Sequence, residues 1–170
     1  MDVLVGMGKY LFLIISWTFF STGFSQIQEP KSIVLDDLLT LMAKNDDTIR
    51  VFNFWATWCA PCIKEWPYFQ KLSENSSDKK LKLWMISLDD ARKLKSKVVP
   101  FLQKHQYTAS VLLLNETRPN VFIDAIEPAW LGAIPATLII YKGKRCFAEK
   151  EFHSQAELND WIENCTNFKN

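Results

Sequence analysis

An α/β fold, with helices on both faces of a central sheet, is predicted by three features of this sequence. "TIRVFNFWA" (48–56) is β-branched and aromatic with almost no polar interruption, as a central strand covered on both sides should be. Stretches of helical period alternate with such strands through the front half of the chain. "AIPATLIIYKGKRCFAEKEF" (133–152) then closes the back as a hairpin, its turn at Lys142, Gly143 and Lys144. Alternation of this kind builds one layered domain rather than separate helical and strand units.

The elements follow in order. "VLDDLLTLMAKN" spaces its apolar residues as a helix does, until Asn45, Asp46 and Asp47 break the pattern into a turn. The central strand comes next and leads straight into a cysteine pair. From Pro61 to about Leu72 the spacing is helical again, and "NSSDKK" ends it. "LKLWMISL" reads as a second strand. "DDARKLKSKVVPFLQKHQ" reads as a helix capped by Asp89 or Asp90 and kinked or split by Pro100. Its lysines alternate with apolar residues, which suits a solvated helix face. A strand "SVLLL", a turn around Arg118, Pro119 and Asn120, and a short helix "VFIDAI" precede the hairpin. A final helix starts from a capping box formed by Ser154 and Glu157.

The chain has 170 residues, 48% of them hydrophobic, with Lys+Arg 20 against Asp+Glu 19. That composition suits a domain with a full core, and a net charge of +1 gives no electrostatic motive for binding nucleic acid. The start of the chain is different. Lys9 precedes the apolar run "YLFLIISWTFF", and Gly23 and Ser25 bracket Phe24, the pattern of a secretory signal cleaved after Ser25. The run is shorter than the roughly 20 residues a spanning helix needs, so residues 1–25 are expected to be a signal peptide, with an uncleaved membrane anchor as the alternative. Residues 26–170 are expected to form the folded domain.

"NFWATWCAPC" (53–62) carries the chemistry. Two cysteines a helical turn apart fit a metal site, a structural bridge or a redox pair. A zinc site needs further ligands, usually a second close pair, and Cys146, Cys165, His105 and His153 are isolated in sequence. A bridge across so short a loop stabilises little. The redox reading is favoured by position: a strand ends at Trp55 and a helix begins near Pro61, so Cys59 lies at the positive end of a helix dipole. A thiolate is favoured there, and the sulfur is expected to be exposed and reactive. Cys62, inside the first turn, is placed to resolve a mixed disulfide rather than to meet substrates. Residues 62, 65, 66 and 69 share a helix face. Glu65 is therefore expected one turn below Cys62, either desolvated, with a raised pKa and able to exchange the Cys62 proton, or solvated and rotated away. Pro67 is expected to bend this helix.

These residues resemble the thioredoxin superfamily over roughly 33–165: "WATWCAPC" matches its active-site stretch, Pro67 its kinking proline and "AIPAT" the segment holding its cis-proline. The resemblance implies a thioredoxin-like fold, a central mixed sheet flanked by helices, with a strand-helix insertion at about 110–126. It also implies that Pro135 is cis and lies against the cysteines, and that the Ile134 backbone pairs with an extended substrate. Thioredoxin's buried aspartate is replaced by Asn53, whereas Glu65 matches the glutamate of TlpA/ResA-like secreted reductases. With the export signal, this is similar to a TlpA/ResA-like extracytoplasmic thiol-disulfide oxidoreductase that uses Cys59 and Cys62 as its redox-active disulfide.

The implied activity is reduction of disulfides in periplasmic or secreted proteins, with no bound cofactor or metal and with a membrane thiol-disulfide partner as electron donor. Ala60 and Pro61 between the cysteines favour a reductase, because a histidine there would make the disulfide more oxidising. Disulfide oxidase or isomerase activity, and a non-catalytic thioredoxin-fold binding module, are the alternatives. A thiol peroxidase is disfavoured by the paired cysteines. Trp58 and Trp130 are candidate walls of a substrate groove, and Cys146 and Cys165 are either bridged or two buried thiols.

Overall fold

A computed structural model of the chain describes residues 30–76 and 80–167. The expected signal peptide, its cleavage site after Ser25 and the alternative anchor lie outside these residues. Among the described residues no helix is long and apolar enough to cross a membrane.

Among the described residues six strands form one mixed sheet in the order β1-β4-β3-β2-β5-β6. They are β1 (Lys31–Ile33), β2 (Ile49–Trp55), β3 (Leu81–Ser87), β4 (Val111–Leu114), β5 (Ala136–Tyr141) and β6 (Lys144–Ala148). The first four run parallel, and β5 and β6 are antiparallel additions. Among the described residues five α-helices accompany them: α1 (Leu35–Met42), α2 (Ala60–Glu74), α3 (Val99–Lys104), α4 (Pro119–Ile126) and α5 (Gln155–Thr166). The predicted insertion is β4 with α4, and β4 lies between β3 and β1 inside the sheet.

β2 organises the core because both of its faces are covered. Val51 and Trp55 join Trp66 and Phe69 of α2, Leu102 of α3 and Leu158 of α5 on one side. Phe52 and Phe54 join Leu38 of α1 and Phe122 and Ile126 of α4 on the other. The period-two alternation of the strand thus divides two apolar layers, and it also points Asn53 into the first of them.

Three departures from expectation have local causes. β1 was not anticipated; it is a three-residue edge element paired only with β4, too short for a periodic signal. The predicted helix after β3 is split earlier than Pro100. A 3-10 turn (Ala91–Lys93) and a π-turn (Leu94–Val98) precede α3, and Pro100 sits in the first turn of α3. Proline has no N–H to donate to Ser96 and its ring crowds that carbonyl, so the preceding turn widens. Pro119 and Asn120, read as a turn, instead open α4, where proline's fixed φ is favourable. By contrast α2 is continuous through Pro67.

The hairpin turn falls at Lys142 and Gly143, both with positive φ, which suits the right-handed twist of the flanking strands. Ser154 caps α5 by accepting from the Glu157 N–H at 3.1 Å. The box is only half closed, because the Glu157 carboxylate accepts from the His153 N–H and from Lys150 instead. Cys146 of β6 and Cys165 of α5 form a disulfide that fastens the last helix to the sheet edge. The bridge spans 19 positions. Replacing both cysteines by serine is expected to lower unfolding free energy by about 3 kcal/mol, read by urea titration against the parent chain.

Candidate active site

The cysteine pair sits where β2 gives way to α2. Cys59 is the residue before the helix, in extended conformation, and its sulfur accepts from the Cys62 N–H at 3.3 Å. That N–H is one of the donors a helix start leaves without an intrahelical partner. Cys59 and Cys62 are joined in a disulfide. The peptide bond between Ile134 and Pro135 is cis, and the Ile134 carbonyl oxygen lies 3.6 Å from the Cys59 sulfur. The sulfur has no hydrogen in the disulfide, so this is an approach and not a hydrogen bond.

Cys59 was expected to be exposed, but it is only 4% exposed, against 1% for Cys62. In the oxidised pair the Cys59 sulfur is turned toward Cys62 and the Ile134 carbonyl. Trp58 beside it is 69% exposed. From Trp58 and Ile134 a groove of about 470 Å³ extends past Asp89, Ile123, Trp130 and Gly132. Trp130 is a wall of it, buried against Phe54, Phe122 and Phe147, with its indole N–H donated to the Ala133 carbonyl at 2.8 Å.

Glu65 is fully buried, the desolvated alternative of the two. Its Oε1 accepts from Asn53 Nδ2 at 2.8 Å and its Oε2 from the Phe152 N–H at 2.9 Å. Removal of water from around the carboxylate raises its pKa from 4.5 to about 7, a push that the two donors oppose and the charges of Glu151 and Glu157 reinforce. Asn53 also donates to Thr137 Oγ1 at 3.1 Å; the two residues face each other in the β2–β5 register. Among the described residues Asn53 Oδ1 has no hydrogen-bond partner.

Sequence reasoning missed three supports. Of the two cap candidates Asp89 and Asp90, it is Asp90 that accepts from the Arg92 N–H. Asp89 turns inward instead, accepting from the Thr57 N–H at 2.9 Å, the Thr57 hydroxyl at 2.6 Å and the Ser87 hydroxyl at 2.9 Å. It thereby ties the Ala56–Trp58 link to the end of β3. Asp89→Ala is expected to destabilise the fold by about 2 kcal/mol, because it strands these buried donors; thermal unfolding reads the loss. The Phe152 N–H was invisible because a backbone group carries no sequence signal. Glu149, the third, holds the loop before the cis-proline by accepting from the Leu131 and Ala133 N–H groups.

A family model described as AhpC/TSA matches residues 28–145, more than half of the chain. The chain belongs to the AhpC/TSA family. Within the thioredoxin superfamily it is a TlpA/ResA-like protein. Its similarity to "Thiol-disulfide oxidoreductase ResA" of Oceanobacillus iheyensis is 46% identity over 39 residues, 23% of this chain and 20% of that protein. To "Thioredoxin-like protein YneN" of Bacillus subtilis it is 35% over 63 residues, 37% of this chain and 36% of that protein. The chain thus aligns with well under two thirds of these curated relatives. The fold is also that of a thioredoxin-related protein from Neisseria meningitidis serogroup B, with TM-score 0.60 and 22% identity over 74% of this chain and 89% of that one. The structural likeness supports the family's fold for the chain, and the chemistry rests on the site.

Proposed function

We propose that this AhpC/TSA-family chain is a thiol-disulfide oxidoreductase that reduces disulfides in extracytoplasmic proteins. The observation that carries the reading is the Cys59–Cys62 disulfide at the start of α2, with the Cys62 N–H on the Cys59 sulfur and a buried carboxylate beneath. In the reduced chain the Cys59 thiolate attacks one sulfur of a client disulfide. A new S–S bond forms, the client S–S bond breaks, and the departing client thiolate takes up a proton. Cys62 then gives its proton to Glu65, and its thiolate attacks Cys59. The second client thiol leaves, protonated in turn from Glu65 or solvent. Two electrons have moved from the cysteine pair to the client.

Glu65 is suited to this exchange because its pKa near 7 lets it hold or release a proton at neutral pH. The Ile134 backbone beside cis-Pro135 receives an extended client segment as an added strand, and Trp58 flanks it. Residues 1–25 act as the export signal and 26–170 as the working domain. A membrane thiol-disulfide partner returns electrons to the pair.

The similarity to the thiol-disulfide oxidoreductase ResA supports the reaction class. The reduction potential tests the direction: a value well below that of a strong oxidant, toward the roughly −270 mV of thioredoxin, is expected. A value near about −120 mV would instead assign the chain to disulfide formation or isomerisation.

A further inference from the structure

Residues 127–133 form a strap between α4 and the cis-proline, held from one side by β6 and the residue after it. At its start Glu127 accepts from the Arg145 guanidinium at 3.1 Å, and Arg145 also donates to the Ile126 carbonyl. At its end one carboxylate holds two backbone amides. Glu149 Oε2 accepts from the Leu131 N–H at 2.9 Å and Oε1 from the Ala133 N–H at 2.6 Å. Between those amides Gly132 takes φ +98, and a Cβ there would come within 3.2 Å of Ile123 Cδ1. The turn is therefore tight and closes against the insertion helix. Leu131 at its tip is 92% exposed.

Ile134 follows directly, its carbonyl facing the Cys59 sulfur. The path of the backbone into Ile134 is thus set by what fixes Leu131 and Ala133. Charge-assisted bonds to a carboxylate are among the stronger backbone restraints, and two on one side chain fix orientation as well as distance. Glu149 has no part in electron or proton transfer in the scheme above. Among the described residues its carboxylate bonds only to the two amides of this turn.

We propose that Glu149 is a positioning residue for client binding: its carboxylate fixes the Leu131–Ala133 turn so that the Ile134 backbone meets an extended protein client beside Cys59. The inference rests on the oxidoreductase reading and deepens it. It predicts a separation between two substrate classes. A protein disulfide that must lie along the strap needs Glu149, whereas a small disulfide that reaches only the sulfur does not.

The test uses the full chain, with insulin as the protein disulfide, bis(2-hydroxyethyl) disulfide as the small one, and dithiothreitol as reductant. Glu149→Ala is expected to raise KM for insulin about tenfold with kcat changed less than about twofold, the signature of lost binding without lost chemistry. Glu149→Gln keeps one acceptor and is expected to fall between, which preserves the test should the alanine variant fold poorly. An insulin KM unchanged in both variants overturns the proposal. So does a parallel fall of insulin and small-disulfide turnover, since that reports damage to the cysteine pair itself. A wild-type chain that turns over neither disulfide overturns the oxidoreductase reading, and this inference with it.

Discussion

Cys62→Ala is expected to convert the chain from a catalyst into a trap. Cys59 retains its place before α2 and still attacks a client disulfide, so the first exchange proceeds. Resolution needs the second sulfur, which Cys62 supplies from inside the helix's first turn at 1% exposure, where no external thiol competes with it easily. Without it the mixed disulfide persists, and steady-state turnover of a protein disulfide should fall by about a thousandfold or more. The adduct is read as a mass shift on non-reducing gels that dithiothreitol reverses, mapped to Cys59 by digestion. Cys59→Ser should abolish the adduct. Absence of adduct from Cys62→Ala would mark the chain as a binding module with inert cysteines.

The second large effect concerns Glu65 and stability. In the folded chain its pKa stands near 7, against 4.5 in the unfolded reference. Between those values the native state holds a proton that the unfolded state has released. Stability therefore falls as pH rises from about 4.5 to about 7, and the full penalty persists above that window. The size is about 3 kcal/mol at pH 8. Glu65→Gln removes the titration. Its amide oxygen accepts from the Phe152 N–H, and its NH2 group donates to Asn53 Oδ1 once that amide turns over, with the Thr137 hydroxyl then donating to Oδ1 and Nδ2 taking the place of the unpartnered atom. The glutamine variant should thus exceed the parent in stability at pH 8 by up to about 3 kcal/mol and match it near pH 4.

Urea titrations at the two pH values measure that difference directly. Comparing variant with parent is essential, because Asp46, Asp90, Glu116 and Glu157 have lowered pKa values and contribute stability of the opposite pH sense. A stability difference that is the same at both pH values would contradict the account of Glu65. The same variant should lose any inflection near pH 7 in its rate of mixed-disulfide resolution.

Much of the site was legible in the sequence because it is local. Cys59, Cys62 and Glu65 lie within one helix start, where the three-residue spacing and Pro61 settle the geometry without tertiary information. Pro135 and Ile134 were found through the resemblance, since no periodic signal places a loop 75 positions away against the Cys59 sulfur. The supports were not legible for the same reason. Asp89 and Asp90 are equivalent as local caps, and only the proximity of Thr57, 32 positions away, decides which turns inward. Glu149 reads as one more charged residue after a strand. The fold follows the same division: the long strands and helices carried clear periods, whereas the three residues of β1 depend on their pairing with β4.

The account's central claim is that the Cys59 sulfur of the reduced chain is the ionised nucleophile at the head of α2. The rate of iodoacetamide alkylation at Cys59, followed by mass spectrometry from pH 5 to 10 with the bridge between Cys146 and Cys165 intact, tests it. A half-maximal rate clearly below the free-thiol value of about 8.5 is predicted. A midpoint at or above about 8.5, or a faster reaction at Cys62 than at Cys59, would contradict it.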